Sequence, residues 1–138
     1  GRDPRPTGAR AEAMLRQALA SNPAHAEAWY FLGEAVGAQA LFPGGTPQGL
    51  EEAVHAFEKG LGLAPERPEF LLGYGHFLRR QALRFRRDGR DPGPSLERGL
   101  ALARQLLAAR PDWPDARILR GALLALRGEA PPRRPHAP

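Results

Sequence analysis

The chain has 138 residues, no cysteine and a formal net charge of +5, a size that fits one compact domain or a short array of repeats. Without cysteine there is no disulfide, no thiolate metal ligand and no cysteine nucleophile. Apolar residues make up 42% of the sequence but aromatics only 7%, and Val and Ile together number three, a balance that disfavours sheets and suits closely packed helices.

Six helices are predicted in chain order, at about 8–21, 25–41, 48–62, 67–87, 95–109 and 113–128, separated by turns containing Pro and Gly. The first opens from Gly1-Arg2-Asp3-Pro4-Arg5-Pro6-Thr7 and the fifth from Gly89-Arg90-Asp91-Pro92-Gly93-Pro94-Ser95, two openings in the same register. Thr7 and Ser95 stand where an N-cap hydroxyl is wanted. The third opens from Pro43-Gly44-Gly45-Thr46-Pro47, a degenerate version of the same device. The second, fourth and sixth follow turns at Pro23, Pro65 and Pro111. The fourth has the clearest period: Phe70, Tyr74, Phe77, Leu78, Gln81 and Phe85 share one face, with arginines mostly opposite. The sixth carries Ile118, Leu119, Leu123, Leu124 and Leu126, more apolar surface than one neighbour covers, which predicts an exposed patch. From Pro131 the chain is Pro-rich and is expected to be disordered.

Two intervals recur. Ten residues separate Pro23 from Gly33, Pro65 from Gly75 and Pro111 from Gly121, and twelve separate Ala11 from Pro23, Ala53 from Pro65 and Gly99 from Pro111. A fixed rhythm of this kind marks a repeat architecture. A mid-helix glycine costs about 1 kcal/mol against alanine, so three at matched positions predict the close approach of a neighbouring helix. The expected layout is one helical repeat domain over 1–130, in blocks of about 1–43, 44–88 and 89–130, followed by a Pro/Arg tail at 131–138.

Trp29-x-x-Leu32-Gly33-x-x-Val36, then Ala53-x-x-x-Phe57, then Pro65 resembles the signature of the tetratricopeptide (TPR) repeat family. The other blocks match in part, through Ala11, Leu15, Ala18 and Pro23, through Leu71, Tyr74, Gly75 and Leu78, and through Gly99, Ala103, Leu106, Pro111 and Gly121. Ala103 and Leu106 exchange a large and a small residue, which reads as compensatory. The resemblance covers roughly residues 8–128. The period departs from the pattern, with lags of 42 and 46 residues between the matched glycines where TPR repeats run to about 34. The excess falls between Gly33 and Ala53 and between Gly75 and Gly99, inside each repeat, so lengthened first helices and a protruding Gly/Pro loop are expected, with segment 88–94 tolerant of shortening. This extended variant is similar to the arrays attached to bacterial eukaryotic-type serine/threonine kinases.

The resemblance implies an all-α fold, a right-handed TPR-like solenoid of three antiparallel helix pairs. It also implies a function in protein–protein interaction or scaffolding, within a larger bacterial protein that holds a peptide or protein on a concave surface lined by the first helix of each repeat. The positions carried over are Glu27, Tyr30 and Glu34, then Glu69, Leu72, His76, Arg79 and Arg80, then Asp115 and Ile118. TPR carboxylate clamps use groove asparagines, and the only asparagine here is Asn22, in a turn, so chaperone tails are not the expected ligand. Two alternatives stay open: a regulatory region of a serine/threonine kinase, possessing no catalytic domain of its own, and a basic nucleic-acid-binding helical module.

No catalytic motif is present. Gly73-x-Gly75 lacks the third glycine of a dinucleotide loop, and the P-loop, zinc-protease and kinase catalytic sequences are missing. Ser21 and Ser95 sit at predicted turns, and His25, His55, His76 and His136 are scattered, so neither an enzyme nor a metal or cofactor site is expected. Arg79, Arg80, Arg84, Arg86, Arg87 and Arg90 against Asp88 carry the whole net charge. That run could meet phosphates, a solvated face or an acidic protein; with no second basic stripe, nucleic acid is the weaker reading. No apolar run reaches the roughly 18 residues a membrane span needs and no signal-peptide pattern is visible, so a cytoplasmic location is expected. Gly1 in place of Met predicts a piece of a longer protein.

Overall fold

The computed structural model describes residues 5–129; the expected tail at 131–138 lies outside them. Among the described residues the regular elements are six helices and no strand: α1 (Arg5–Ser21), α2 (Ala26–Leu41), α3 (Pro47–Leu63), α4 (Pro68–Arg87), α5 (Gly93–Ala109) and α6 (Pro114–Glu129). The all-α expectation holds, and five-residue or shorter connections separate the helices.

The helix starts differ from expectation in an instructive way. Thr7 and Ser95 do not cap α1 and α5 but lie inside them, because each helix begins two residues earlier, at Arg5 and Gly93. Proline is well tolerated in a first turn, where its missing N–H has no partner to lose, so Pro6 and Pro94 fall within these helices rather than before them. Where a cap is present, other residues supply it. Thr46 Oγ1 accepts the Gly49 N–H at 3.1 Å to start α3, and His25 Nδ1 accepts the Ala28 N–H at 3.2 Å to start α2.

The connection after α4 is exposed from Asp88 to Asp91, and it is short and hydrogen-bonded. α4 runs to Arg87 and α5 starts at Gly93, leaving five residues, each held. The Arg90 N–H donates to the Phe85 carbonyl at 2.7 Å, and Asp91 Oδ1 accepts the Gly93 N–H at 2.9 Å. Gly89 turns the chain at φ 74°, a conformation that costs other residues about 1–2 kcal/mol. α4 itself is 20 residues long.

The recurring prolines build the same turn three times. The His25 N–H donates to Asn22 O at 3.2 Å, Arg67 N–H to Ala64 O at 3.3 Å and Trp113 N–H to Arg110 O at 3.1 Å. In each, the proline is the second residue of the turn, where its fixed φ is preorganised. The preceding helix ends alike in all three, with Asn22, Ala64 and Arg110 donating N–H groups to Ala18, Gly60 and Leu106.

The chain divides into two compact units, Gly1–Gly73 and Tyr74–Pro138, with the border inside α4. In the first, α2 packs against both α1 and α3. Leu32, Val36, Ala53 and Phe57 are buried here, and Trp29 Nε1 donates to the Pro23 carbonyl at 2.7 Å, fastening α2 to its own turn. In the second, α5 packs against α6, around Tyr74, Leu102, Leu119 and Leu123. Ala103 and Leu106, the exchanged pair, are both buried. Among the described residues Ser95 and Gln81 are the buried polar ones, and they satisfy each other: Ser95 Oγ donates to Gln81 Oε1 at 2.8 Å. Ser95→Ala should cost about 1–3 kcal/mol by leaving that amide oxygen without its donor, whereas Ser95→Ala with Gln81→Leu should recover most of the loss in urea melts. Phe85, read as core by phase, is half-buried, with the Arg90 guanidinium 4.3 Å from its ring centroid.

The matched glycines split two to one. A Cβ at Gly33 would lie 2.9 Å from the Phe57 ring, and one at Gly75 would lie 2.5 Å from Leu119 Cδ2. Gly121 meets nothing within 4 Å and is exposed, so the close approach expected there is absent among the described residues. Gly33→Leu and Gly75→Leu should therefore destabilise by about 1–3 kcal/mol or more through overpacking. Gly121→Ala should stabilise by about 1 kcal/mol through helix propensity alone. Thermal melts that moved all three in one direction would contradict this division.

Candidate partner-binding surface

In the first unit, Glu27, Tyr30 and Glu34 occupy one face of α2, three and four residues apart. Glu27 and Glu34 are exposed, but Tyr30 is not: only 7% of it reaches solvent. Its ring stacks on Phe70 at 4.5 Å between centroids and meets Phe57 edge-on at 5.6 Å. Gly73 leaves room for the hydroxyl, since a Cβ there would collide with it. Tyr30 is thus a core ring whose hydroxyl donates to Glu34 Oε2 at 3.0 Å. Arg67, which sequence reasoning passed over, ties this surface together. Its guanidinium lies 3.0 Å from Glu69 and 3.6 Å from Glu27, and 4.4 Å from the Phe70 ring centroid. The Glu69 carboxyl is held below its ordinary range, first by its own backbone N–H at the start of α4 and then by Arg67. Leu72 is half-buried. The result is a set of exposed carboxylates gathered round one arginine.

Burial, then the charge of Glu34, raises the Tyr30 pKa well above that of a free phenol. An unfolded tyrosine ionises near pH 10, while the folded one keeps its proton. Stability is therefore full below about pH 10 and falls as pH rises beyond it, by at most about 1.4 kcal/mol per unit. Tyr30→Phe should remove this component, a difference read from urea midpoints between about pH 9 and pH 11; equal slopes in the two proteins would refute it.

In the second unit His76 and Arg79 are half-buried, while Arg80, Asp115 and Ile118 are exposed. Desolvation, then the positive charge of Arg79, lowers the His76 pKa, and Asp115 opposes them. Ile118 stands out, with 66% of its surface uncovered one turn beyond Asp115. The arginine run is partly engaged within itself: Arg84 bonds Asp88 at 3.0 Å, Arg87 approaches the same carboxylate at 3.8 Å, and Arg90 lies over Phe85.

A second feature of this unit was not anticipated from sequence. α5 and α6 border a groove of about 500 Å³ lined by the apolar Leu100, Leu107, Ala108 and Leu124 together with Arg104, Arg120 and Arg127. Residues 100, 104 and 107 fall on one helical face of α5, as do 120, 124 and 127 on α6, so the signal was present in the spacing.

Among the described residues no group of three or more His, Asp or Glu side chains could hold a metal ion, and no helix is long and apolar enough to cross a membrane. Set beside known proteins, the chain matches no family model, no curated protein and no solved structure. What the fold defines is the class: among the described residues, an all-α protein of six helices packed against one another.

Proposed function

We propose that this chain is a helical-repeat module of TPR-like type that binds a protein or peptide partner through exposed helix faces, that of α2 and the start of α4 in the first unit and that of α6 in the second. The repeat part of the reading is supported by the proline turn built three times in one register, with the same hydrogen bonds. The binding part is carried by Ile118. It is a β-branched apolar residue two-thirds exposed on a helix whose Ala116, Leu119 and Leu123 are completely buried. Asp115, three residues earlier, is exposed on the same face, so a partner would meet an apolar anchor beside a charge.

Panning a displayed peptide library on the full chain tests this. Enriched peptides should share a motif with an apolar anchor, and Ile118→Glu should weaken them at least about tenfold, some 1.4 kcal/mol, with an unchanged helical spectrum. Absence of enrichment, or enriched peptides indifferent both to Ile118→Glu and to Glu27→Lys with Glu69→Lys, would overturn the reading.

A further inference from the structure

We propose that the groove between α5 and α6 takes an acidic amphipathic helix of a partner protein. The inference rests on the reading of the chain as an interaction module, but it uses a surface other than Ile118, so the two can fail separately.

The leucines of the lining select apolar side chains. Leu100 is buried, Leu107 is half-buried, and Leu124 is 37% exposed, so an open apolar strip lies between the two helices. The arginines of the lining select negative charge. Three guanidinium groups border the strip, one from α5 and two from α6, and no carboxylate is among the residues that line it. Arg104 and Arg120 take part in no ion pair among the described residues, and Arg127 reaches only Glu97, at 3.5 Å on the exposed surface. Such an exposed pair holds less than about 1 kcal/mol and yields readily to an incoming carboxylate. Arginine presents a planar fork that pairs carboxylates two-pronged, and pairing beside apolar side chains is screened less than in open water.

The spacing points to a helix as the occupant. Arg120 and Arg127 are seven residues apart on α6, two turns or about 10 Å along the axis, with Leu124 between them on the same face. A ligand helix with carboxylates seven residues apart and leucines between them repeats that pattern in complementary chemistry. A nucleic acid or a free phosphate could satisfy the arginines but would leave the leucines unused.

The test uses the full chain and a labelled peptide of about sixteen residues, with Glu at positions i and i+7 and Leu at i+3 and i+4 of each such stretch. Fluorescence anisotropy should show saturable binding, a gain of helical circular dichroism, and affinity at least about tenfold above that of a scrambled peptide of the same composition. Arg120→Glu with Arg127→Glu should abolish binding, and a peptide with Lys in place of Glu should restore it on that variant. Arg104→Gln, a milder change, should weaken binding severalfold and guards against a folding defect in the double variant. Equal binding by the scrambled peptide or by a single-stranded oligonucleotide would reduce the groove to a general polyanion site and overturn the proposal. So would no binding at low salt, or failure of the charge-swapped peptide to rescue a variant that melts like the parent.

Discussion

Phe57→Ala is expected to lower the stability of the protein by about 3–5 kcal/mol, the range for removing a buried aromatic ring. Phe57 is only 2% exposed, is met edge-on by Tyr30, and lies under Gly33 so closely that no side chain fits between them. The loss has two parts, the transfer of the ring from water and the cavity it leaves. Because Tyr30 is also stacked on Phe70, it cannot swing into that cavity without giving up a second aromatic contact, so collapse is limited and the cost should fall in the upper half of the range. Gly33→Ala in the Phe57→Ala background should regain part of it, since the new methyl group enters vacated space. Chemical denaturation of the four proteins of this cycle reads the coupling. A Phe57→Ala loss below about 1 kcal/mol, or strict additivity with Gly33→Ala, would mean that the ring and the glycine are not in contact.

Leu119→Ala and Ile118→Ala, neighbours in sequence, should behave as opposites. Leu119 has no exposed surface and fills the space beside Gly75; its truncation should cost about 2–5 kcal/mol. Ile118 is 66% exposed, and its truncation should stay within about 0.5 kcal/mol of neutral, as surface changes usually do. The pair fixes the rotation of α6 about its axis. A helix turned by a single residue would exchange the two results, and equal thermal shifts would contradict the packing of this unit.

Helices were legible because Ala and Leu dominate between prolines, and the proline turns were legible because their spacing repeats. The caps were not. Proline before Thr7 and Ser95 looks like a stop, yet proline in a first turn starts a helix as readily as it ends one, and only the backbone shows which. Tyr30 was misplaced for a different reason. α2 packs on α1 and on α3, so its buried residues, from Ala28 to Ala40, pass round the helix instead of keeping to one stripe. Periodicity then no longer separates inside from outside, and a tyrosine between two glutamates reads as surface. Gly121 shares its interval with Gly33 and Gly75, but an interval records a chain position and carries no information on what stands opposite. The groove between α5 and α6 was missed because each arginine, taken alone, is an ordinary solvated helix position; its meaning comes from the leucines on a second helix.

The tryptophans have a use beyond their place in the turns. Trp29 lies in the first unit, bonded to its turn and meeting His55 edge-on at 5.8 Å, and Trp113 lies in the second, with the Arg110 guanidinium 4.8 Å from its ring centroid. Each unit thus contains one of the chain's two tryptophans. With Trp113→Phe the emission spectrum belongs to the first unit alone, and with Trp29→Phe to the second. A single wavelength scan during denaturation therefore follows either unit by itself, and the coincidence or separation of the two curves measures directly whether they unfold as one cooperative body.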